Sequence, residues 1–206
     1  MHPSHREQSG TLLNALAYHL NRGEEVRNGG GEEEEHSTPP SPLSSATSER
    51  PGLPHRLDKQ TSGVVVVAKN ARAHRIISSQ FLRKQVTKRY LALVDGVVEQ
   101  EDGVIQAPIG RYDELKHWSV KTDGKHATTN FVVRRRYQDR SLLELEPVTG
   151  RTNQLRIHCE HIGHPIVGDV SRGGSEHDRL CLHAYKLGLR HPTSGEHMEF
   201  VREFQF

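Results

Sequence analysis

The sequence is poor in cysteine and has no long apolar run, and both shortages exclude classes of protein. Its two cysteines, Cys159 and Cys181, in 206 residues cannot build the disulfide framework of a small secreted domain. We therefore expect reduced thiols in an intracellular compartment, either the cytoplasm or an organelle such as a mitochondrion or plastid. No stretch approaches the roughly 20 apolar residues of a membrane span, and no apolar segment fit for a signal peptide opens the chain.

Charge is divided unevenly along the chain. Residues 1–50 hold four arginines and eight glutamates, a net charge of −4, whereas residues 51–206 carry +6. A positive excess of this size suits a phosphate-rich partner without proving one. Residues 21–50 are rich in Gly, Glu, Ser, Thr and Pro and too polar to bury a core, so a low-complexity disordered insert is predicted there. It separates a short amphipathic helix within residues 1–20 from the main domain, residues 51–206.

Hydrophobic periodicity predicts more strands than helices. Residues 64–68 are typical of a fully buried strand, because they form a short β-branched run that follows Gly63. Helices are predicted over residues 71–84, capped by Asn70, and over residues 152–162, capped by Thr152. Since no regular βαβ alternation appears, we predict an α+β fold with a largely antiparallel sheet. The other predicted strands cover residues 86–94, 103–109 and 126–137, the segment around Leu143 and Leu145, and residues 181–190 and 197–205.

A single carboxylate stands among cations and hydroxyls directly before the predicted strand at 64–68. It is Asp58, in the stretch His-Arg-Leu-Asp-Lys-Gln-Thr-Ser-Gly at residues 55–63. We expect this loop to be held rigidly, and Arg56 beside Asp58 favours the ionised carboxylate at neutral pH. Such a group suits nucleophilic or general-base chemistry. An aspartate in a salt-bridged turn explains the same residues, and the spacing alone does not decide between the two.

Four further motifs follow this stretch. They are Lys-Arg-Tyr-Leu-Ala-Leu-Val-Asp-Gly at 88–96, Pro-Val-Thr-Gly-Arg-Thr-Asn-Gln-Leu-Arg-Ile-His at 147–158, Gly-His-Pro-Ile-Val-Gly-Asp at 163–169 and Leu-His-Ala at 182–184. In this order the five motifs resemble the RluA-type RNA pseudouridine synthases, from about residue 51 to residue 200 and more weakly over residues 1–20. The resemblance implies a pseudouridine synthase fold, in which a mixed, largely antiparallel sheet with flanking helices holds a central catalytic cleft. It makes residues 1–20 the N-terminal helical part of that catalytic domain.

The chain departs from the family at its beginning. Relatives usually have a further strand before the point that matches residues 2–4, and no such strand precedes them here. We therefore expect a sheet that lacks the family's first strand, as in a truncated gene model or a fragment. Two interpretations stay open on this ground: an RNA pseudouridine synthase, or a non-catalytic RNA-binding protein or truncated inactive fragment on the same fold.

The resemblance also implies roles for individual residues. The family's catalytic aspartate corresponds to Asp58, and its ion-pair partner to Arg156, whose planar guanidinium suits a bidentate contact. Tyr90 corresponds to the active-site tyrosine that lies against the uracil. A uridine in folded RNA must be flipped out to react, and Arg56 is the candidate to fill the gap that it leaves. Arg151 is a second candidate contact to RNA.

The implied chemistry needs no cofactor. Turning uridine into pseudouridine changes neither the atoms nor the oxidation state, so we expect neither a metal nor an organic cofactor. The expected partner is structured RNA, either rRNA or tRNA, with no membrane contact and a monomeric protein.

Two other kinds of site were weighed against the residues. His158, Cys159 and His161 invite a zinc site, but a helix turns Cys159 away from the two histidines and no second cluster with zinc-finger spacing accompanies them; packing explains them better. Ser62 with a distant histidine would suggest a hydrolase, but the chain has no Gly-x-Ser-x-Gly elbow.

Overall fold

The computed structural model of the chain describes Leu12, Ala15, Leu16, residues 52–112 and residues 117–206. The three N-terminal residues are helical; the rest of the helix predicted within residues 1–20, and the insert predicted at 21–50, lie outside the described residues. Among the described residues, no helix has the length and apolar character needed to cross a membrane.

Residues 52–112 and 117–206 form one large sheet, one small sheet and two α-helices. The elements are β1 (Ser62–Gly63), α1 (Ala71–Leu82), β2 (Thr87–Asp95), β3 (Asp102–Gln106), β4 (Ile109–Tyr112), β5 (His117–Val120), β6 (Thr128–Arg136), β7 (Arg140–Pro147), α2 (Gln154–His161), a 3-10 turn (Val170–Arg172), β8 (Leu182–Arg190) and β9 (His197–Val201). The large sheet has seven strands in the order β1-β8-β2-β7-β6-β3, with β9 beside β8, and the small one is the hairpin β4-β5. Among these strands only β1 and β8 pair in parallel, which confirms the predicted α+β fold with a mixed, largely antiparallel sheet.

Two apolar clusters hold the helices on the sheet. The larger one lies between α2 and the strands β2, β6 and β7, and it contains both free cysteines, Cys159 and Cys181. The smaller one joins α1 through Ile77 to Leu187 and Leu189 of β8. As predicted, Asn70 caps α1: its Oδ1 accepts a hydrogen bond of 2.9 Å from the backbone N–H of Ala73. The two helices therefore sit at fixed places beside the strands.

The strand predicted over residues 64–68 is wrong. The chain leaves the sheet after β1, and residues 64–67 are only half-buried and irregular. Val64 and Val66 pack against the smaller apolar cluster, which contains Ile77 of α1 and Leu187 and Leu189 of β8. The backbone N–H of Val66 donates to Nε2 of His55 at 3.0 Å, so a side chain satisfies a donor that a ladder would otherwise use. The β-branched run is therefore explained by apolar packing and does not require a strand.

The strand predicted over residues 103–109 is divided in two. β3 ends at Gln106 on the edge of the large sheet, and β4 begins at Ile109 as part of the separate hairpin. Pro108 lies between them and has no N–H to donate to a continuous ladder.

The cap predicted for α2 is also wrong. The residue before Gln154 is Asn153, which has left-handed backbone (φ 53°) and makes no capping hydrogen bond, and Thr152 does not cap the helix. The buried Gln154 side chain holds this end of the helix instead. Its Nε2 donates to the carbonyl of Thr128 at 2.9 Å, and its Oε1 accepts from the backbone N–H of Arg151 at 3.0 Å.

Candidate active site

A cavity of about 760 Å³ opens on the face of the large sheet that carries Tyr90. Its walls come from the 54–61 loop, the end of α1, the start of β2 and the segment from the end of β7 into α2. Three stretches singled out in the sequence, at residues 55–63, 88–96 and 147–158, thus meet at one place. Four of the five candidate residues line this cavity: Arg56, Asp58, Tyr90 and Arg151.

Asp58 is positioned by a turn that leads into β1. The backbone N–H of Thr61 donates to the carbonyl of Asp58 at 3.0 Å, and Ser62 and Gly63 then pair with His183 and Ala184 of β8. Gly63 has φ +119°, and a Cβ there would lie 2.2 Å from the carbonyl oxygen of Ala184. Only glycine allows this close approach of two backbones. The carboxylate is therefore held at the sheet, as its loop position predicts.

Burial is the strongest influence on Asp58 and raises the pKa of its carboxyl above the ordinary value. The cations Arg156 and Arg56 act in the opposite direction and are outweighed. Arg56 thus acts in the predicted sense, but it is not the dominant influence. Among the described residues, no hydrogen bond to the Asp58 carboxylate is present, so its oxygens face the cavity without a fixed donor.

Arg156 does not form the direct ion pair with Asp58 that the resemblance implied. Its Nε and Nη2 donate to the two carboxylate oxygens of Asp169 at 2.6 and 2.7 Å. This bidentate pair is nearly buried, since 14% of the Arg156 side chain and 2% of the Asp169 side chain are exposed. Arg156 is in the first turn of α2, as expected, and still acts on Asp58 as the cation with the largest effect on its pKa.

Asp169 and Arg172 belong to this charged group, and the sequence reasoning missed both. Burial raises the pKa of Asp169, but hydrogen bonds and charge from Arg156 outweigh it, and the pKa is lowered. Arg172 donates to Glu160 at 2.6 Å and to the carbonyl of Trp118 at 2.9 Å, and its charge reaches Asp58. The sequence signal for this pair was Asp169, the one acidic residue of the motif at 163–169. An aspartate buried within such a motif needs a cationic partner.

Tyr90 lies on the cavity face of β2, opposite Leu145 of β7. Burial, followed by the negative charge of Asp58, raises the pKa of Tyr90 to about 12. The side chain is therefore a neutral phenol close to Asp58 across the physiological pH range. Its place beside the carboxylate agrees with the predicted position; its role stays a prediction.

Arg56 and Arg151 are exposed residues on the walls of the cavity. Arg151 is oriented by a hydrogen bond of 3.0 Å from its Nε to the carbonyl of His126. Both exposed cations are thus placed where a bound RNA could reach them, and their contact with RNA stays a prediction.

Histidines in and behind the loop have structural contacts. His55 stacks on Phe81 with ring centroids 4.7 Å apart, and burial together with the charge of Lys88 lowers its pKa to about 4. Ser62 does lie 2.7 Å from Nδ1 of His183. The Nε2 of that ring donates to a backbone carbonyl, that of Arg202, at 2.8 Å. Ser62 lies outside the residues that line the cavity, so this pair supports the loop rather than a hydrolase site.

His158, the first residue of the weighed zinc cluster, is fully buried and engaged at both ring nitrogens. Nε2 donates to the carbonyl of Ala107 at 3.1 Å, and Nδ1 lies 2.9 Å from the hydroxyl of Thr129. Burial lowers its pKa, so the ring is neutral and ties α2 to the sheet. The described residues contain no group of three or more metal-ligating side chains.

Comparison with known proteins gives a consistent result. The family model for RNA pseudouridylate synthase matches residues 15–161. An uncharacterized RNA pseudouridine synthase of Bacillus subtilis is 39% identical over 204 residues, which cover 97% of this chain and 61% of that protein. Ribosomal large subunit pseudouridine synthase D of Pseudomonas aeruginosa is 35% identical, with 97% and 61% covered. The chain thus spans about three fifths of the length of these curated relatives.

Solved structures show the same fold. Human RNA pseudouridylate synthase domain containing 1 superposes with a TM-score of 0.66 at 34% identity, covering 74% of this chain and 68% of that one. Human RNA pseudouridylate synthase domain containing 4 gives a TM-score of 0.64 at 26% identity, with 76% and 72% covered. Since the family model matches well over half of the chain, and the motifs at 55–63, 88–96 and 147–158 meet at one cavity of the expected fold, this chain belongs to the RNA pseudouridylate synthase family, of the RluA type.

Proposed function

We propose that this chain is an RNA pseudouridine synthase, an isomerase that converts specific uridines of structured rRNA or tRNA to pseudouridine through Asp58. It acts as a monomer and uses neither a metal nor an organic cofactor. The observation that carries the proposal is the state of Asp58: a carboxylate mostly removed from solvent, at the wall of a cavity, surrounded by cations and without a hydrogen-bond donor among the described residues.

The reaction balances within the substrate. The bond between C1′ of the ribose and N1 of the uracil breaks, the base rotates, and a bond between C1′ and C5 forms. The proton on C5 is lost and N1 gains one, so no other group is consumed. The cavity has a volume of about 760 Å³, which is within the size range of sites for small molecules, and a single extruded nucleotide fits such a space.

Asp58 supplies the nucleophilic carboxylate, by adding either to C6 of the base or to C1′ of the sugar. Both routes require an ionised group whose oxygens are not already occupied. Arg156 and Arg172 favour the ionised form by charge without donating hydrogen bonds to it. Because their own hydrogen bonds go to Asp169, Glu160 and Trp118, they stay in place during the reaction, as electrostatic stabilisation requires.

Tyr90 contributes a neutral ring and hydroxyl. Its pKa of about 12 makes a phenolate a minor species, which favours contact with the uracil face and hydrogen bonding over proton abstraction by the phenolate. Tyr90→Phe separates the two contributions: stacking is retained and the hydroxyl is lost.

The decisive test measures tritium release from C5. Unmodified rRNA and tRNA transcripts labelled with [5-³H]uridine are incubated with the 206-residue chain. Wild-type protein is expected to release tritium, and primer-extension mapping should place pseudouridine at discrete sites. Asp58→Asn should lower the rate by more than about 10³-fold, as loss of a nucleophile does, while RNA affinity is unchanged because a carboxylate neutralises no phosphate.

Asp139→Asn is the matched control. Asp139 is an exposed aspartate that is distant from Asp58 in the sequence, so this variant should keep full activity. If wild-type protein binds RNA but releases no tritium, the non-catalytic RNA-binding alternative replaces the proposal. Full activity of Asp58→Asn would remove the assignment of the carboxylate.

A further inference from the structure

A lysine occupies a backbone position that normally requires glycine, at the edge of the cavity. Lys84 has φ +57°, and with Asn153 it is one of two non-glycine residues with positive φ in the described part of the chain. Both line the cavity. Left-handed backbone costs an L-residue about 1–2 kcal/mol, and such strain tends to be kept where a side chain has a function.

The hydrogen bonds around Lys84 show why this conformation is required. The backbone N–H of Lys84 donates to the carbonyl of Phe81 at 3.1 Å, and that of Gln85 donates to the carbonyl of Gln80 at 2.9 Å. These two bonds form a Schellman motif at the end of α1, whose left-handed position is most often glycine. Glycine would end this helix with less strain, so the helix itself gives no reason for a lysine.

Lys88 supplies a second cation to the same part of the cavity. Lys88 and Tyr90 are two positions apart on β2, so both side chains are on one face, and both line the cavity. The step between them along the strand is about 7 Å. Burial lowers the pKa of Lys88, Glu146 opposes this, and the charge of Lys84 lowers the pKa further. The two ammonium groups are therefore close enough to repel each other.

Positive charge dominates the lining of the cavity. Four cationic residues line the cavity (Arg56, Lys84, Lys88 and Arg151), whereas Asp58 is the one carboxylate among the lining residues that the structure describes. An anion placed between Lys84 and Lys88 would relieve the repulsion, and lysine ammonium groups are common ligands of phosphate.

We propose that Lys84 and Lys88 form a phosphodiester subsite, which binds an RNA backbone phosphate next to the nucleotide that enters the cavity. The inference rests on the proposed function and names one contact of its substrate. When the uracil base lies against Tyr90, Lys88 is two residues away on the same face of β2. Lys88 is then placed to contact the RNA backbone beside the extruded nucleotide. The subsite thereby positions the strand for reaction at Asp58, without taking part in the chemistry.

The test uses Lys84→Gly, a substitution that suits the backbone and removes only the ammonium group. Folding should be preserved and the free energy of unfolding should rise, because glycine tolerates positive φ. RNA affinity is measured from 0.1 to 1 M salt. Loss of one phosphate contact should lower the slope of log K against log salt by about 0.7, so affinity falls about fivefold at 0.1 M and is nearly unchanged at 1 M.

Two companion variants sharpen this test. Arg83→Ala removes the charge of the neighbouring exposed residue, which does not line the cavity, and it should leave the slope unchanged. Lys88→Met keeps the apolar stem, and the double variant with Lys84→Gly should lose little more than either single variant, because both lysines hold the same phosphate.

The single-turnover rate at saturating RNA should stay near the wild-type value in Arg83→Ala, since Arg83 lies outside the cavity lining. An unchanged salt slope in Lys84→Gly, equal losses in Lys84→Gly and Arg83→Ala, or additive losses in the double variant would each overturn the subsite. Those results leave tritium release by the wild-type protein untouched. Conversely, the wild-type protein could release no tritium while Lys84→Gly shows the predicted change in salt slope. That result would overturn the proposed enzymatic activity and support the phosphate contact.

Discussion

Two carboxylates on opposite faces of one sheet differ in a way that separates structural from reactive acids. Glu144 pairs with Leu91, on the face away from Tyr90, whereas Asp58 lies on Tyr90's side. Burial raises the pKa of both carboxyls. At Glu144, hydrogen bonds from Tyr185 at 2.7 Å and from Arg134 outweigh burial, and the pKa is lowered.

Asp58 is half-buried and has cations near it rather than donors bonded to it, and its pKa remains raised. Asp169, with its bidentate bond to Arg156, behaves like Glu144. Desolvation is thus shared by all three acids, and direct hydrogen bonds decide the outcome. Arg156 donates hydrogen bonds to Asp169 and acts on Asp58 only through its charge. The Asp58 oxygens therefore stay available for a substrate.

The largest effect on stability is expected from Asp169→Asn. It removes one partner of a nearly buried ion pair and leaves the Arg156 charge uncompensated, which costs about 3 kcal/mol in the free energy of unfolding. Urea denaturation at pH 7 measures the loss. Because the lowered pKa of Asp169 stabilises the fold only above the ordinary carboxyl pKa, the wild-type advantage should disappear as the pH falls through the lowered folded-state value. If the variant is as stable as wild type, Arg156 forms an ion pair with Asp58 when Asp169 is replaced.

Glu144→Gln should have the next largest effect. The amide keeps the size of the side chain but loses the charge-assisted bonds, so the free energy of unfolding should fall by about 1–3 kcal/mol. Tritium release should be unchanged at temperatures where the variant is folded, since Glu144 lies on the face away from the cavity. Loss of activity without loss of stability would contradict the purely structural role of Glu144.

The smallest effect, with the opposite sign, is expected from Asp58→Asn. A carboxyl whose pKa is raised on folding destabilises the folded state when ionised, so removing its charge should add up to about 1 kcal/mol at pH 7. The gain should shrink as the pH falls and vanish below the ordinary carboxyl pKa, where Asp58 is protonated in both states. Thermal melts of both proteins between pH 3 and pH 8 test this sign, and a destabilised variant at pH 7 would contradict it.

The sequence alone was sufficient for features that short segments encode. The cap of α1 by Asn70 and the loop that holds Asp58 before β1 depend on residues within a few positions of one another, whereas the need for Gly63 comes from the distant Ala184. The position of Tyr90 beside Asp58 followed from the family resemblance, because a tyrosine in an alternating strand is by itself more often a core residue. The five motifs in order also indicated the family, because five ordered motifs are far more specific than any one of them.

The tertiary structure decided what depends on competition between distant groups. The valines at 64–67 could form a strand or pack as irregular chain, and Val64 and Val66 pack into the apolar cluster between α1 and β8. Arg156 could pair with Asp58 or Asp169, and packing of the 3-10 turn against α2 placed Asp169 in bidentate geometry. Lys84 showed no sequence sign of left-handed backbone. Spacing along a chain sets which groups can meet locally, but burial and charge from neighbours in space determine which pair forms.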